Sequence, residues 1–297
     1  MTRSEEMLDL SIVMISLNEA HHLRAALEDI CGWCRKVYLV DSLSSDSTID
    51  IALEYGVEVV QRPFRNFGDQ WNFALSHFEF DTNWIMKLDP DERLTGELKA
   101  EISRAISQAN SGVAGFRFPR LLSFMGRPLP TAQSIERIWR TGKARFSDVR
   151  VNEHLIIDGH VETLQHYMHH LDSPNLHHWY AKQNKYFTAE AIMQFEGESL
   201  ATTGRIFGTA LERRMWLKKV FWKVPFRYFI LHMYHLFGTG AWRAGREGRI
   251  WAKMRTEAYR SQEFKVFEMR KMGVALHPIA EGKGDPDRRV PYVGNNG

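Results

Sequence analysis

The sequence predicts an α/β fold with a parallel sheet at its centre and a basic helical extension behind it. Three observations carry that expectation. Short β-branched apolar runs alternate with segments of helical period from residue 10 to residue 88. Two of those runs end on aspartates, Asp41 and Asp89. Past residue 200 the charge turns positive: residues 201–271 hold 16 Lys and Arg against 5 Asp and Glu, although the whole chain carries only +3.

The elements follow from local pattern. "LSIVMIS" (10–16) is a short, apolar, β-branched run and reads as a buried strand. "EAHHLRAALEDI" (19–30) puts Leu23, Ala26, Leu27 and Ile30 on one helical face. "KVYLV" (36–40) is the second strand and ends at Asp41. "DSTIDIALEYG" (46–56) is a helix that Asp46 or Ser47 can cap and Gly56 can close. "VEVV" (57–60) is a third strand, "FGDQWNFALSHF" (67–78) a helix, and "NWIMKL" (83–88) a fourth strand. Strands alternating with helices at this spacing imply parallel pairing with helices on both faces. After residue 110, "GFRFPRLL" (115–122), "ERIWR" (136–140) and "EHLIIDG" (153–159) read as strands of a mixed or antiparallel extension. From about residue 175 the pattern is helical, and the tail from 276 has the Pro, Gly and charge content of a loosely ordered segment. The expected division is 1–200, 201–275 and 276–297.

At 297 residues, 44% hydrophobic and 25% charged, the chain can bury a sizeable core in one large domain or one domain with an appendage. "MTRSEEMLDL" lacks the basic start and apolar run of a signal peptide, and two cysteines imply no disulfide framework, so a reducing cytoplasm is expected. No run approaches the roughly 18 apolar residues that a spanning helix needs.

In parallel sheets ligands bind beyond the carboxyl ends of the strands, where Asp41 and Asp89 are expected. "KLDPDER" (87–93) sets Asp89, Asp91 and Glu92 within four positions. Clustered carboxylates repel, and hard divalent cations, which take oxygen ligands, offset that repulsion. An exposed loop running into a helix cap is the plainer reading of the same residues.

Several motifs in order carry a family resemblance: "SLNE" (16–19), "VDSLSSDST" (40–48), "RPFRNFGDQWNFAL" (62–75), "LDPDE" (88–92) and "ARFSDVRVNEHLIIDG" (144–159). They resemble the family 2 glycosyltransferases of GT-A fold, a Rossmann-like sheet. Within that family the motifs resemble most the bacterial branch that extends lipopolysaccharide core and related surface saccharides. In that family the second motif reads Val-Asp-Ser-Gly-Ser-Thr-Asp and the fourth Leu-Asp-Ala-Asp-Glu.

The resemblance implies an inverting transferase that takes a sugar from a nucleoside-diphosphate sugar, with uridine favoured, in the presence of Mg²⁺ or Mn²⁺. It implies Asp91 as the metal-binding carboxylate, Asp89 toward the metal or ribose, and Asp41 as hydrogen-bond partner of the base, with capping or turn formation in the Ser-rich loop as the structural alternative for Asp41. Ser16, Leu17 and Glu19 fall in the first nucleotide-binding motif, and Leu17 stands where many relatives have a Tyr that stacks on the base. Gln70 and Asn72 are candidates to line the nucleotide cleft, or else a polar helix face. Glu153, in "VNEH", is the candidate base that takes the acceptor proton; pairing with Arg145 or Arg150 is its structural alternative. Arg137 and Arg140 flank a short apolar pair and read as surface cations, with reach to phosphate or acceptor as the alternative.

His154, His160, His166, His169, His170, His177 and His178 crowd one segment without the His-Glu-x-x-His pattern of a metalloprotease. Any one of them is a candidate to help hold the catalytic metal. "CGWC" (31–34) follows its helix instead of starting one, so the dipole that activates a redox thiol is missing and two packing cysteines are expected.

"RRMWLKKVFWKVPFRYFILHMYHLF" (213–237) mixes cations with Trp, Phe and Tyr around Pro225. That mixture suits an anionic membrane surface, with Trp216, Phe221, Trp222, Phe226 and Phe229 as anchors, or else a core helix with a basic outer face. No nucleic-acid motif accompanies it. The expectation is therefore a cytoplasmic enzyme, peripheral at the inner face of the cytoplasmic membrane, with a saccharide or glycolipid acceptor. Two rivals share the sheet. A sugar nucleotidyltransferase would carry a Gly-rich basic loop after its first strand, which "SLNEAHHL" is not. A non-catalytic nucleotide- or saccharide-binding module would not need Asp89, Asp91 and Glu153 together.

Overall fold

The computed structural model describes residues 7–147, 154–173, 175–197, 207, 213, 216, 217 and 220–276. The chain divides into two compact units, Met1–Asp172 and Ser173–Gly297, so the division falls earlier than the expected 200/201. The tail expected to be loosely ordered lies, past residue 276, outside the described residues.

The first unit begins β1 (Leu8–Ser16), α1 (Ala20–Ile30), β2 (Cys34–Asp41), α2 (Thr48–Glu54), β3 (Glu58–Gln61), α3 (Phe67–His77) and β4 (Trp84–Lys87). It continues with β5 (Glu92–Leu94), α4 (Gly96–Gln108), β6 (Val113–Phe124), β7 (Arg127–Arg140), β8 (Ala144–Phe146), β9 (Leu155–Ile157), β10 (His160–Thr163) and β11 (Met168–His170). The main sheet runs β3-β2-β1-β4-β7-β6-β11-β5, with β10 also paired to β6, while β8 and β9 form a separate pair. β1 to β4 are mutually parallel, and β7 joins β4 antiparallel with Met86 opposite Ile138. The parallel half and its mixed extension are as the sequence pattern predicts. β7 is longer than the expected 136–140, and the strand expected over 153–159 is confined to Leu155–Ile157 among the described residues.

Side-chain alternation divides the core between the two faces of the sheet. Leu10, Ile12, Met14, Trp84 and Met86 pack with Leu23, Leu27, Ile30, Ile51, Leu98 and Ile102 from α1, α2 and α4. Val13 and Ile85, one position out of phase, pack on the other face with Trp71, Ala74, Trp139 and Phe146. Each large apolar side chain so buried contributes about 1.5–3 kcal/mol, enough that a register slip of one residue, which would exchange the faces, is strongly disfavoured.

Local chemistry fixes the helix starts. Asn66 accepts from the Asp69 amide at 2.7 Å and Thr95 from the Leu98 amide at 3.2 Å. Ser47 occupies the first cap position of α2, but the neighbouring Asp46 does the bonding, accepting from the Thr48 amide at 3.0 Å and the Ala20 amide at 3.2 Å. One carboxylate thus ties the starts of α1 and α2 together. Gly68 lets α3 approach the end of β8: a Cβ there would lie 2.2 Å from the Ser147 carbonyl oxygen.

The cysteine expectation holds for one thiol. Cys34 is buried, which pushes its pKa up to about 12, whereas Cys31 is exposed; both are free.

In the second unit, α5 (Leu176–Glu196) is capped by Asn175, which accepts from the His178 amide at 2.9 Å, and ends on left-handed Gly197. After Pro225 come α6 (Arg227–Met233), a π-helical turn (Tyr234–Gly238), a short 3-10 segment (Ala241–Ala244) and α7 (Gly245–Met272). Ala191 of α5 packs with Val266 and Met269 of α7. No helix among the described residues is long and apolar enough to cross a membrane.

Candidate active site

Parallel pairing brings the carboxyl ends of β1, β2 and β4 together. In the β1–β2 register Ser16 is the partner of Asp41, and its hydroxyl donates to the Asp41 carboxylate at 2.8 Å. Asp41 is fully buried and also accepts from the Ser44 amide at 2.8 Å, the Ser44 hydroxyl, and Gln61 Nε2 at 2.9 Å. Burial opposes its ionisation, but the donors from Ser44, Gln61 and Ser16 outweigh that penalty and hold its pKa below the usual carboxylate range. The Ser-rich loop is therefore wrapped around Asp41. A base would have to displace one of these donors to reach the carboxylate.

Two residues beside this hub sit in left-handed backbone without being glycine. They are Asn18 at φ 56° and Leu43 at φ 65°. Asn18 repays the conformation by accepting from the Ser45 amide at 2.8 Å. Leu43 stands where the family motif places Gly, so the loop keeps the backbone shape that glycine would favour.

The acidic cluster after β4 is not three equivalent surface carboxylates. Glu92 is fully buried; it contacts Arg137, lies 3.3 Å from Arg120, and accepts from the Asp89 amide at 3.0 Å. Burial raises its pKa while Arg137 pulls it back. Asp89 lies 3.2 Å from Arg137, and burial of its carboxylate is outweighed by the charges of Lys87 and Arg137, which lower its pKa. Lys87 itself lies over the Trp71 ring at 4.3 Å and the Phe146 ring at 5.4 Å. Asp91 faces His170, whose Nε2 is 3.1 Å from Asp91 Oδ2 and 4.0 Å from Asp172 Oδ1. The pairing of β11 with β5 makes that contact, with His170 opposite Glu92.

The expected site residues are thus distributed unevenly. Ser16 and Asp41 meet, and Asp89 and Asp91 lie with Arg137 and His170. Leu17 is 52% exposed beside the hub, and the Glu19 amide donates to the Thr48 hydroxyl at 2.9 Å. Gln70 is fully buried and donates to Ser42 at 3.2 Å, so it supports the Ser-rich loop from beneath and does not line a cleft. Asn72 exchanges two bonds of 2.8 Å with the Phe146 backbone and pins β8 to α3. Glu153 and Arg150 lie outside the described residues, and Arg145 stands 3.4 Å from Asp158.

Two arginines read from the sequence as surface cations are structural. Arg137 is buried against Glu92 and Asp89. Arg140 lies over the Trp84 ring at 4.4 Å and donates to the Val113 and Asn110 carbonyls. Alternation gave no signal for Arg137: Arg137, Ile138 and Trp139 are buried in succession, and a cation so buried requires an acidic partner. Outside this centre, Glu19, His21 and His22 also converge, one ligand-type atom from each lying within 4.8 Å of the others.

Comparison with known proteins gives a consistent result. The family description "Glycosyl transferase family 2" matches residues 11–161. A protein of Rickettsia bellii named an uncharacterized glycosyltransferase is 34% identical over 101 residues, covering 34% of this chain and 34% of its own. One from Rickettsia prowazekii, named likewise, is 28% identical over 122 residues, 41% of each chain. The matches thus span only about a third to two fifths of these curated relatives. Among solved structures, a mannosyltransferase from Pyrobaculum calidifontis in complex with GDP-mannose and Mn²⁺ superposes with a TM-score of 0.53 at 15% identity, covering 89% of this chain and 88% of that one. That likeness establishes a shared fold, the GT-A arrangement that the motifs implied.

Proposed function

The chain belongs to glycosyl transferase family 2, and from that membership we propose that it transfers a glycosyl residue, with inversion, from a nucleoside-diphosphate sugar to a saccharide hydroxyl. The observation that carries the reading is the pairing of Asp91 with His170 at 3.1 Å beyond the carboxyl end of β4, with Asp89 two residues away. Two carboxylates and an imidazole are a donor set that suits a hard or borderline divalent ion such as Mg²⁺ or Mn²⁺. When bound, that ion would neutralise charge on the departing diphosphate.

The chain's own residues supply the rest. Asp91 and His170 would hold the ion, and Arg137, 3.2 Å from Asp89, would keep that carboxylate available to the ribose or the metal. Asp41, through Ser44 and Gln61, shapes the loop against which the base lies. Glu153 accepts the proton from the acceptor hydroxyl as its oxygen bonds to the anomeric carbon, while the bond from that carbon to the diphosphate oxygen breaks. A UDP-sugar is the first candidate donor on the motif likeness. The GDP-mannose bound by the archaeal protein of similar fold makes a guanosine donor the second.

The acceptor in this reading is a lipid-linked saccharide of bacterial surface-glycan synthesis, met at the inner face of the cytoplasmic membrane. The cation and aromatic content past residue 200 supports it. A thermal-shift screen of nucleoside-diphosphate sugars with and without Mn²⁺ tests the donor reading. Stabilisation that requires both sugar nucleotide and metal is expected, and its absence for every donor would overturn it. Hydrolysis of the stabilising donor separates an enzyme from a binding module.

A further inference from the structure

We propose that residues 226–237 of the second unit form the element that enters a lipid bilayer, lying flat in the interface. The expected anchors divide in the structure. Phe221 is half-buried, its ring 5.8 Å from Tyr228 and 6.4 Å from Tyr259, and Trp222 packs on Phe221 at 5.3 Å. Those two rings are spent inside the unit. Phe226 and Phe229 are 84% and 66% exposed, and the structure adds Ile230, Tyr234 and Phe237 at 52%, 58% and 60%.

Phe229, Ile230, Tyr234 and Phe237 fall within about 140° of one another around the helix axis, on α6 and the π-helical turn that continues it from Arg227 to Gly238, while Phe226 precedes the helix in left-handed backbone. The opposite face is the docked one. His235 is buried against the rings of Trp251 and Tyr259, which lowers its pKa to about 4 through burial. Tyr228 and Arg227 both bond Glu263 of α7. The helix is therefore docked by one side through Arg227, Tyr228 and His235, and it exposes Phe229, Ile230, Tyr234 and Phe237, with Phe226 exposed just before it.

Charge identifies the occupant. Residues 213–246 contain eight Lys and Arg and no Asp or Glu. Arg227 is engaged with Glu263, but Lys223, Arg243 and Arg246, which flank the apolar stretch in the sequence, are exposed. An exposed aromatic-rich stretch flanked in the sequence by cations, with no Asp or Glu among residues 213–246, fits acyl chains bordered by anionic head groups. The inference rests on the membrane reading above for its choice of a bilayer, and goes beyond it in assigning the face and its orientation. A second pair of exposed aromatics on α7, Phe264 and Phe267, lies among Glu263 and Glu268 and is excluded by the same criterion.

The test is flotation of the full chain with phosphatidylcholine vesicles carrying about 30 mol% phosphatidylglycerol. Phe229→Ser with Phe237→Ser should lower partitioning by about tenfold or more, and Lys223→Glu with Arg243→Glu should remove its dependence on anionic lipid. Phe264→Ser with Phe267→Ser should leave binding unchanged, and all variants should keep the donor hydrolysis of the parent. Vesicle binding that survives the 229/237 change, or is lost with 264/267 instead, overturns the face while leaving the membrane reading intact. No vesicle binding by the unmodified chain overturns both. If sedimentation shows a dimer that the 229/237 change dissociates while vesicle binding is unchanged, the face belongs to a second copy. If the 229/237 and 223/243 changes weaken binding to single-stranded RNA and leave vesicle binding unchanged, it belongs to nucleic acid.

Discussion

His170 Nε2 lies 3.1 Å from Asp91 Oδ2, although 79 residues separate the two in the chain. Their meeting depends on β11 pairing with β5, which carries a histidine from the far end of the first unit to the acidic turn after β4. Removing either side should weaken metal binding. We expect Asp91→Asn to abolish transfer and metal-dependent donor binding with the fold intact. His170→Ala should weaken Mn²⁺ affinity by about 10-fold or more, in the range of losses seen for groups around a bound metal. Mn²⁺ titration followed by electron paramagnetic resonance reads both, and unchanged affinity in the His170 variant would remove it from the site.

Glu153→Gln should keep donor and metal affinity and lower transfer by at least about 10²-fold, as for a lost general base. Donor binding by calorimetry together with single-turnover transfer separates the two quantities. Collapse of donor affinity with a surviving rate at saturation would make Glu153 a donor-site residue.

The Arg137–Glu92 pair is buried on both sides. Arg137→Met leaves the Glu92 carboxylate deep in the sheet without its closest cation, Arg120 standing 3.3 Å away, and should cost about 3–5 kcal/mol of stability. Adding Glu92→Gln should recover part of that loss, because the amide still accepts from the Asp89 backbone while no charge is stranded. Denaturation of the single and double variants measures the coupling. A loss below about 1 kcal/mol in the single variant would mean that the pair behaves as a surface contact.

Asp41 links the site to pH. Its folded pKa is depressed, so its contribution is fully present above the unfolded value of about 3.9. That contribution is lost as pH falls through the lower folded value. Asp41→Asn, which turns an acceptor into a donor facing Ser44 or Gln61, should cost about 1–3 kcal/mol at pH 7. The gap between variant and parent should close as the solution is acidified below about pH 4. Parallel stability curves for the two proteins across that range would contradict the assignment.

Leu43 holds φ 65° on an exposed loop. Leu43→Gly should therefore raise stability by about 0.5–1 kcal/mol, relief of strain outweighing the added freedom of the unfolded chain. Leu43→Ala keeps the same strained backbone and should bring no gain. Equal gains from both changes in thermal melting would exclude backbone strain as the cause.

The sequence by itself determined the parallel half of the sheet, since β1, β2, β3 and β4 are short apolar runs alternating with segments of helical period. It also placed Asp41 and Asp89 at strand ends, because the residue that closes a buried run is read directly from local pattern. Only the tertiary structure decided what those residues touch. Arg137 reads locally as one cation beside an apolar pair, and its burial follows from β7 joining β4 across more than forty residues of chain. Nothing nearby in the sequence separates His170 from six neighbouring histidines, since strand pairing at long range selects it. Asn72 and Gln70 have the same polar character as cleft residues, yet helix packing turns them toward Phe146 and Ser42. Period and composition are properties of neighbouring residues and survive in any window of the chain. Partner choice is settled by long-range register, where the burial of each charge must be matched by an opposite charge that only the folded sheet brings within reach.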